Sequence, residues 1–150
     1  MIDTAKIDYL REVDRNLLFH LRKKTPSGCQ RDETILEGRL NVRFLKPGVR
    51  HPIDVWYEDN LMVLNIGDWT HDHPETLGEL VEKIERIVDE KIVVWRVTRP
   101  NGFEYSGHYD SDELTQEGPE FLDEPDTGVE AGDRLQKETF TKLLIDKMVE

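Results

Sequence analysis

Apolar residues recur at helical spacing near the start of the chain. The stripe consists of Ile7, Leu10, Val13, Leu17, Leu18 and Leu21, with charged residues between its members. Because these positions fall three or four apart, the pattern predicts an amphipathic helix over about residues 4–24. Asp3 or Thr4 can cap its first turn, and the sequence Thr25-Pro26-Ser27-Gly28 ends it.

A second apolar stripe, in the middle of the chain, is more regular. It consists of Leu77, Leu80, Val81, Ile84, Ile87 and Val88. Proline is tolerated in the first turn of a helix, so the pattern predicts a second helix that begins near Pro74. Asp72 or His73 can supply its N-terminal cap.

Alternation of apolar and polar residues predicts one strand, and turn residues together with β-branched or aromatic runs predict four more. Three of the five form a meander: Leu36–Phe44, Ile53–Tyr57 and Leu61–Gly67. The other two, Ile92–Thr98 and Phe103–Tyr109, are rich in β-branched or aromatic residues and are joined by Arg99-Pro100-Asn101-Gly102. That turn sequence predicts a hairpin.

The C-terminal residues predict a third helix. Asp133 can cap it, and its apolar face consists of Leu135, Phe140, Leu143, Leu144 and Met148. The predicted element order is therefore α-βββ-α-ββ-α. We expect a single α+β domain over residues 1–150, with a five-stranded antiparallel sheet packed by the three helices.

Charge is distributed unevenly along the chain. Residues 110–133 contain ten acidic side chains and no Lys or Arg, whereas residues 1–50 carry eleven basic and seven acidic residues. A connection of this length is usually functional or disordered. Two interpretations stay open for this acidic loop. It can cover a basic surface of a partner protein, or it can dock on the basic first third of its own chain, at Arg31, Arg39, Arg43, Lys46 and Arg50.

Composition argues against several functional classes. A net charge of −12 disfavours nucleic-acid binding, which depends on Lys and Arg neutralising phosphates. The lone Cys29 gives no internal disulfide, and the apolar runs stay below the ~20 residues of a membrane span. With no export signal visible, we expect a cytoplasmic protein that binds neither nucleic acid nor membrane.

The string Asp68-Trp69-Thr70-His71-Asp72-His73-Pro74 is the most catalytic-looking part of the sequence. Its two histidines could ligate a transition metal, with His108 and a nearby aspartate completing the site. Helix capping and packing account for the same residues without a metal. Phosphate-binding loops, nucleophile elbows and zinc-protease motifs are absent from the sequence. We therefore predict no catalytic residue, metal or cofactor, and keep a small metal-dependent hydrolase using His71 and His73 as an alternative.

The segment from Trp56 to Trp95 resembles bacterial immunity proteins, which are encoded beside polymorphic toxins. The resemblance lies in WYEDNLMVLNIGDWTHDHP followed by LVEKIERIVDEKIVVW: a strand ending in an aromatic-histidine cluster, an acidic helix and a hydrophobic strand. It implies stoichiometric binding and neutralisation of a basic toxin. The element order is also similar to that of class I type III secretion chaperones, which implies a homodimeric chaperone as an alternative.

These observations together predict an acidic protein-binding module whose partner has a basic surface, a bacterial toxin in the most specific version. Acidic groups would steer the encounter and aromatic residues would anchor it. The predicted partner-binding residues are Tyr109, Asp110, Asp112, Glu113, Glu120, Phe121, Asp123 and Glu124, together with Trp69, His71, Asp72 and His73.

Overall fold

The computed structural model describes residues 2–112 and 129–150 of the chain. The chain divides into two compact units, Met1–Glu85 and Arg86–Glu150. Helices are combined with two antiparallel sheets, of five and four strands. The predicted α+β class is confirmed, but the strands form two sheets rather than the single sheet that the sequence predicted.

The first unit begins with two helices, α1 (Thr4–Ile7) and α2 (Glu12–Lys23), in place of the predicted single helix. As predicted, the Asp3 side chain accepts a hydrogen bond from the backbone of Ala5. The break occurs because Arg11 has an extended backbone, and its guanidinium binds buried Asp14 and the carbonyl oxygens of Tyr57 and Asp59. Long-range polar contacts of Arg11 thus override the continuous apolar spacing.

Five strands follow in sequence order and form the first sheet. They are β1 (Gln30–Leu36), β2 (Arg39–Leu45), β3 (Ile53–Glu58), β4 (Leu61–Ile66) and β5 (Thr70–Asp72). The predicted strand Leu36–Phe44 was wrong in its bounds, because it runs through the turn between β1 and β2. Glu37 and Gly38 form that turn, with φ of 53° and 78°. Two successive positive φ angles are typical of a type I′ turn, whose backbone twist matches the right-handed twist of the two strands.

One face of the first sheet is the core of this unit. Alternate side chains of β2, β3 and β4 are fully buried, and α2 contacts β2 and β3. Leu17, Leu18 and Leu21 of α2 are likewise buried. At the sheet edge, Arg22 and Arg31 bind Glu33 and lower the pKa of its carboxyl to about 2.

Helix α3 (Leu77–Val88) confirms the second predicted helix, with Leu80, Ile84 and Ile87 buried. The second unit contains a sheet of four strands in the order β7-β6-β8-β9. Their bounds are β6 Ile92–Thr98, β7 Glu104–Asp110, β8 Arg134–Glu138 and β9 Leu143–Met148. The predicted hairpin of β6 and β7 is confirmed. None of the helices in the described ranges is both long enough and apolar enough to cross a membrane.

The predicted C-terminal helix is wrong, because these residues form the hairpin of β8 and β9. Glu90 fixes the turn of this hairpin by accepting hydrogen bonds from the backbone and hydroxyl of Thr141. Asp133 caps no helix there. It is buried, and its carboxylate accepts hydrogen bonds from Arg99 and from the backbone of Glu130.

Strands β7 and β8 both pair with β6, one on each side. Asp110 of β7 lies opposite Ile92, at the start of β6, whereas Arg134 of β8 lies opposite Thr98, at its end. The chain between β7 and β8 therefore joins opposite ends of the central strand.

Candidate functional site

The face of the first sheet opposite its buried core carries the most distinctive group of side chains in the first unit. Alternation places Arg39, Asn41 and Arg43 of β2 and Asp54, Trp56 and Glu58 of β3 on this face. His71 of β5 lies in the same row as Asp54. These side chains are exposed or half-buried, so we call this surface the open face.

Trp56 stands near the centre of the open face. Pairing places it between Asn41 of β2 and Val63 of β4. Its indole Nε1 lies 3.4 Å from a carboxylate oxygen of Glu58. Leu36, at the end of β1, lies opposite Arg39, and Leu61, at the start of β4, lies opposite Glu58, so both belong to this face; they are 72% and 51% exposed. Exposed apolar side chains therefore lie on both sides of Trp56 among the polar residues of the face.

A groove of about 410 Å³ opens beside Trp56. Leu36 and Trp56 give it apolar walls. Glu37, Arg39, Asn41 and Glu58 also line it and provide polar and charged groups. We call this space the Trp56 groove. Its volume lies within the range of about 300–1,000 Å³ that is typical of ligand pockets.

A second cavity, of about 230 Å³, is lined by Arg43, Arg50, His51, Asp54, Asp68 and Trp69, among others. His51 is buried and meets the Trp69 ring edge-on, with 4.8 Å between centroids. Gly67 makes this arrangement possible, because a Cβ there would lie 2.5 Å from Nδ1 of His51. Arg43 binds Asp54 through two 2.9 Å hydrogen bonds, which raise the pKa of the guanidinium. The positive charge of Arg43 is thus balanced by the carboxylate of Asp54 on the neighbouring strand.

The structure brings the predicted residues His71, Asp72 and His73 together at β5 and just after it. The two imidazole rings are 5.0 Å apart, and Nδ1 of His73 lies 3.0 Å from the carbonyl oxygen of Met62. Asp72 forms an ion pair with Lys83 at 3.5 Å. Within residues 2–112 and 129–150, no group of three or more His, Cys, Asp or Glu side chains could hold a metal ion.

The predicted cap of α3 by Asp72 or His73 is wrong. Thr76 accepts a hydrogen bond from the backbone of Glu79 at 3.1 Å, and the Glu79 carboxylate accepts one from the backbone of Glu75 at 3.0 Å. This reciprocal arrangement is close to a capping box, and it begins the helix after Pro74 rather than at it.

Two of the predicted acidic residues, Asp110 and Asp112, are bound by Arg86. The Arg86 guanidinium donates to both Asp110 oxygens and to Asp112 at 2.6 Å, and these carboxylates raise its pKa. At the other end of the acidic segment, Arg99 binds Asp133 and lies 3.5 Å from Glu130. The predicted contacts at Glu113, Glu120, Phe121, Asp123 and Glu124 lie outside the described residues.

The predicted anchor Tyr109 belongs to an aromatic row on the second sheet. Lys137 lies over its ring at 5.5 Å, and Arg99 lies over Tyr105 at 5.1 Å. Trp95 meets Tyr105 edge-on at 5.8 Å and occupies the space above Gly107, where a Cβ would be 2.6 Å from its ring. Burial raises the pKa of the Tyr105 hydroxyl.

Trp56 was not among the predicted site residues, although the sequence contains a signal for it. In Ile53-Asp54-Val55-Trp56-Tyr57-Glu58, Trp56 alternates in phase with Asp54 and Glu58. A large aromatic residue in phase with charged residues is predicted to lie on the solvent side of a strand.

Comparison of the chain with protein-family models, with curated proteins and with solved structures finds no match. The resemblance to immunity proteins and to secretion chaperones therefore stays a prediction from sequence.

Proposed function

We propose that this protein is a stoichiometric protein-binding module that uses the open face to bind a basic partner protein. In its most specific form the partner is a bacterial toxin, which the bound module neutralises. The observation that carries the proposal is Trp56, a half-buried tryptophan with exposed Leu36 and Leu61 around it, on a strand face whose other side chains are polar. Interfaces typically combine such an aromatic anchor with a polar rim.

The charge of the protein supports a basic partner. Besides the net charge of −12, the exposed side of α3 carries Glu79, Glu82 and Glu85 within the first unit. Spacings of three residues place them along one side of the helix. Acidic groups of this kind accelerate association with a basic protein, and salt weakens their effect.

The test starts from the product of the gene that adjoins this one. Both chains are purified, mixed and measured by light scattering and calorimetry, with the partner's toxicity as a functional readout. We expect a 1:1 complex and loss of toxicity. Trp56→Ala should weaken the complex at least about 30-fold, since central interface aromatics are worth about 2 kcal/mol or more.

Phe103→Ala is the matched control, because Phe103 is 61% exposed but lies in the second unit. It should leave affinity unchanged. Glu82→Gln with Glu85→Gln should slow association severalfold at low salt and have little effect at high salt. Absence of a complex, or equal affinity of Trp56→Ala and wild type, would count against the proposal.

A further inference from the structure

We infer that the Trp56 groove receives an apolar side chain of the partner that is adjacent to a Lys or Arg. This inference rests on the proposed function and makes the nature of the partner's contact specific. The walls of the groove are apolar. Leu36 is 72% exposed on one side and Trp56 lies on the other, so an inserted aromatic or aliphatic side chain would remove apolar surface from water on both sides.

The rim of the groove is acidic. Glu37, Arg39 and Glu58 line it. Two carboxylates and one guanidinium give this lining a net charge of −1, and the Asp59 carboxylate lies beside it, 3.9 Å from Arg39. The Arg39 guanidinium lies 3.9 Å from both Glu58 and Asp59, which is beyond hydrogen-bonding distance. The carboxylates of Glu58 and Asp59 are 61% and 90% exposed, so they can accept hydrogen bonds from an incoming ammonium or guanidinium.

The same charges disfavour the other occupants of such a groove. An anionic ligand would meet the carboxylates of Glu37 and Glu58, and a second copy of this face would bring two acidic rims together. Like charges brought together across an interface cost free energy. An apolar side chain of the partner can pack against the groove walls, while a Lys or Arg next to it in the partner binds the carboxylates of the rim.

The turn between β1 and β2 fixes one part of the rim. Glu37 has φ 53°, a conformation that non-glycine residues seldom adopt and that asparagine tolerates better. Glu37→Asn is therefore a variant that removes the charge while fitting the turn at least as well. It separates the role of the carboxylate from the folding of the hairpin.

The experiment uses the full-length ¹⁵N-labelled protein and three acetylated, amidated tripeptides: Arg-Phe-Arg, Arg-Gly-Arg and Glu-Phe-Glu. The indole N–H of Trp56, assigned with Trp56→Phe, and the amide of Gly38 report on the groove. We expect Arg-Phe-Arg to shift both signals in a saturable way, with the other two peptides at least about tenfold weaker. Glu37→Asn should weaken Arg-Phe-Arg binding about two- to fivefold, the effect of an exposed ion pair, while its melting temperature stays at or above that of wild type.

No shift with Arg-Phe-Arg at millimolar concentration would overturn the inference. So would equal shifts with all three peptides, or shifts at the indoles of Trp69 and Trp95 instead. The proposed function fails separately: if Trp56→Ala abolishes the complex but Arg-Phe-Arg leaves Trp56 unaffected, the protein binds through this face but the assigned occupant is wrong.

Discussion

Trp56 and Trp95 are each the fourth residue of a strand, and each has a paired strand on both sides. Both are half-buried, yet their surroundings differ. Trp95 lies between Gly107 and Lys137 and fills the space above the glycine. Trp56 lies between Asn41 and Val63 and borders an open groove. Trp95 is packed because its neighbour Gly107 has no side chain and leaves room for the ring. Trp56 has no glycine beside it, and its ring stays available to a partner.

The largest loss of stability is expected at the buried ion pair of Arg99 and Asp133, beside the aromatic row of the second unit. Arg99→Met would leave Asp133, which is 1% exposed, without its guanidinium and would remove the cation over Tyr105. Breaking such a pair should lower the free energy of unfolding by about 3 kcal/mol. The matched change Arg39→Met, at an exposed site of the open face, should cost less than about 1 kcal/mol. Urea unfolding followed by circular dichroism measures both, and similar losses would show that the two regions do not differ as described.

Truncation of the two tryptophans compares them directly. Trp95→Ala should lower the free energy of unfolding by about 2–3 kcal/mol, because it leaves a void above Gly107 and removes the contact with Tyr105. Trp56→Ala should cost no more than about 1 kcal/mol, since its surface already faces the groove. The reverse order in denaturant titrations would mean that Trp56 is a structural residue.

The smallest expected effect concerns the glycine. Gly107→Ala places a Cβ 2.6 Å from the Trp95 ring, so the ring must move, at a cost of about 1–2 kcal/mol. The control Gly78→Ala has its nearest neighbouring atom at 3.8 Å and lies in α3, where alanine is favoured by up to about 1 kcal/mol. Thermal melts of the two variants should therefore shift in opposite directions. A Gly107→Ala protein as stable as wild type would show that Trp95 has room to move.

The sequence predicted the elements whose apolar residues have a recognisable pattern or composition. Helix α3 was predicted because its apolar side chains follow one helical period, and the hairpin of β6 and β7 was predicted because β-branched and aromatic residues flank a turn sequence. The C-terminal hairpin was missed because β8 buries side chains on both faces, including Lys137 and Glu138, which removes the alternation. Strand β1 was missed because its Glu33 is a charged residue that becomes buried through ion pairs with Arg22 of α2 and with Arg31. Tertiary contacts of polar groups determine both cases, and composition does not reveal them.

One part of the candidate site could be predicted from the sequence and another part could not. The orientation of Trp56 follows from its phase in β3, so it could be predicted. The groove beside it depends on the turn at Glu37 and Gly38, which brings Leu36 of β1 alongside β2. No periodicity within one strand contains that information. The pairing of Asp110 and Asp112 with Arg86 is also a contact between residues distant in sequence.

The crossing from β7 to β8 sets a minimum length for any engineered connection between these two strands. Arg86 binds Asp110 near the start of β6, and Arg99 binds Asp133 near its end. The two attachment points are thus separated by the length of β6, which is about 20 Å at roughly 3.3 Å per residue. A replacement shorter than about six extended residues could not satisfy both arginines and would have to break one of the two ion pairs.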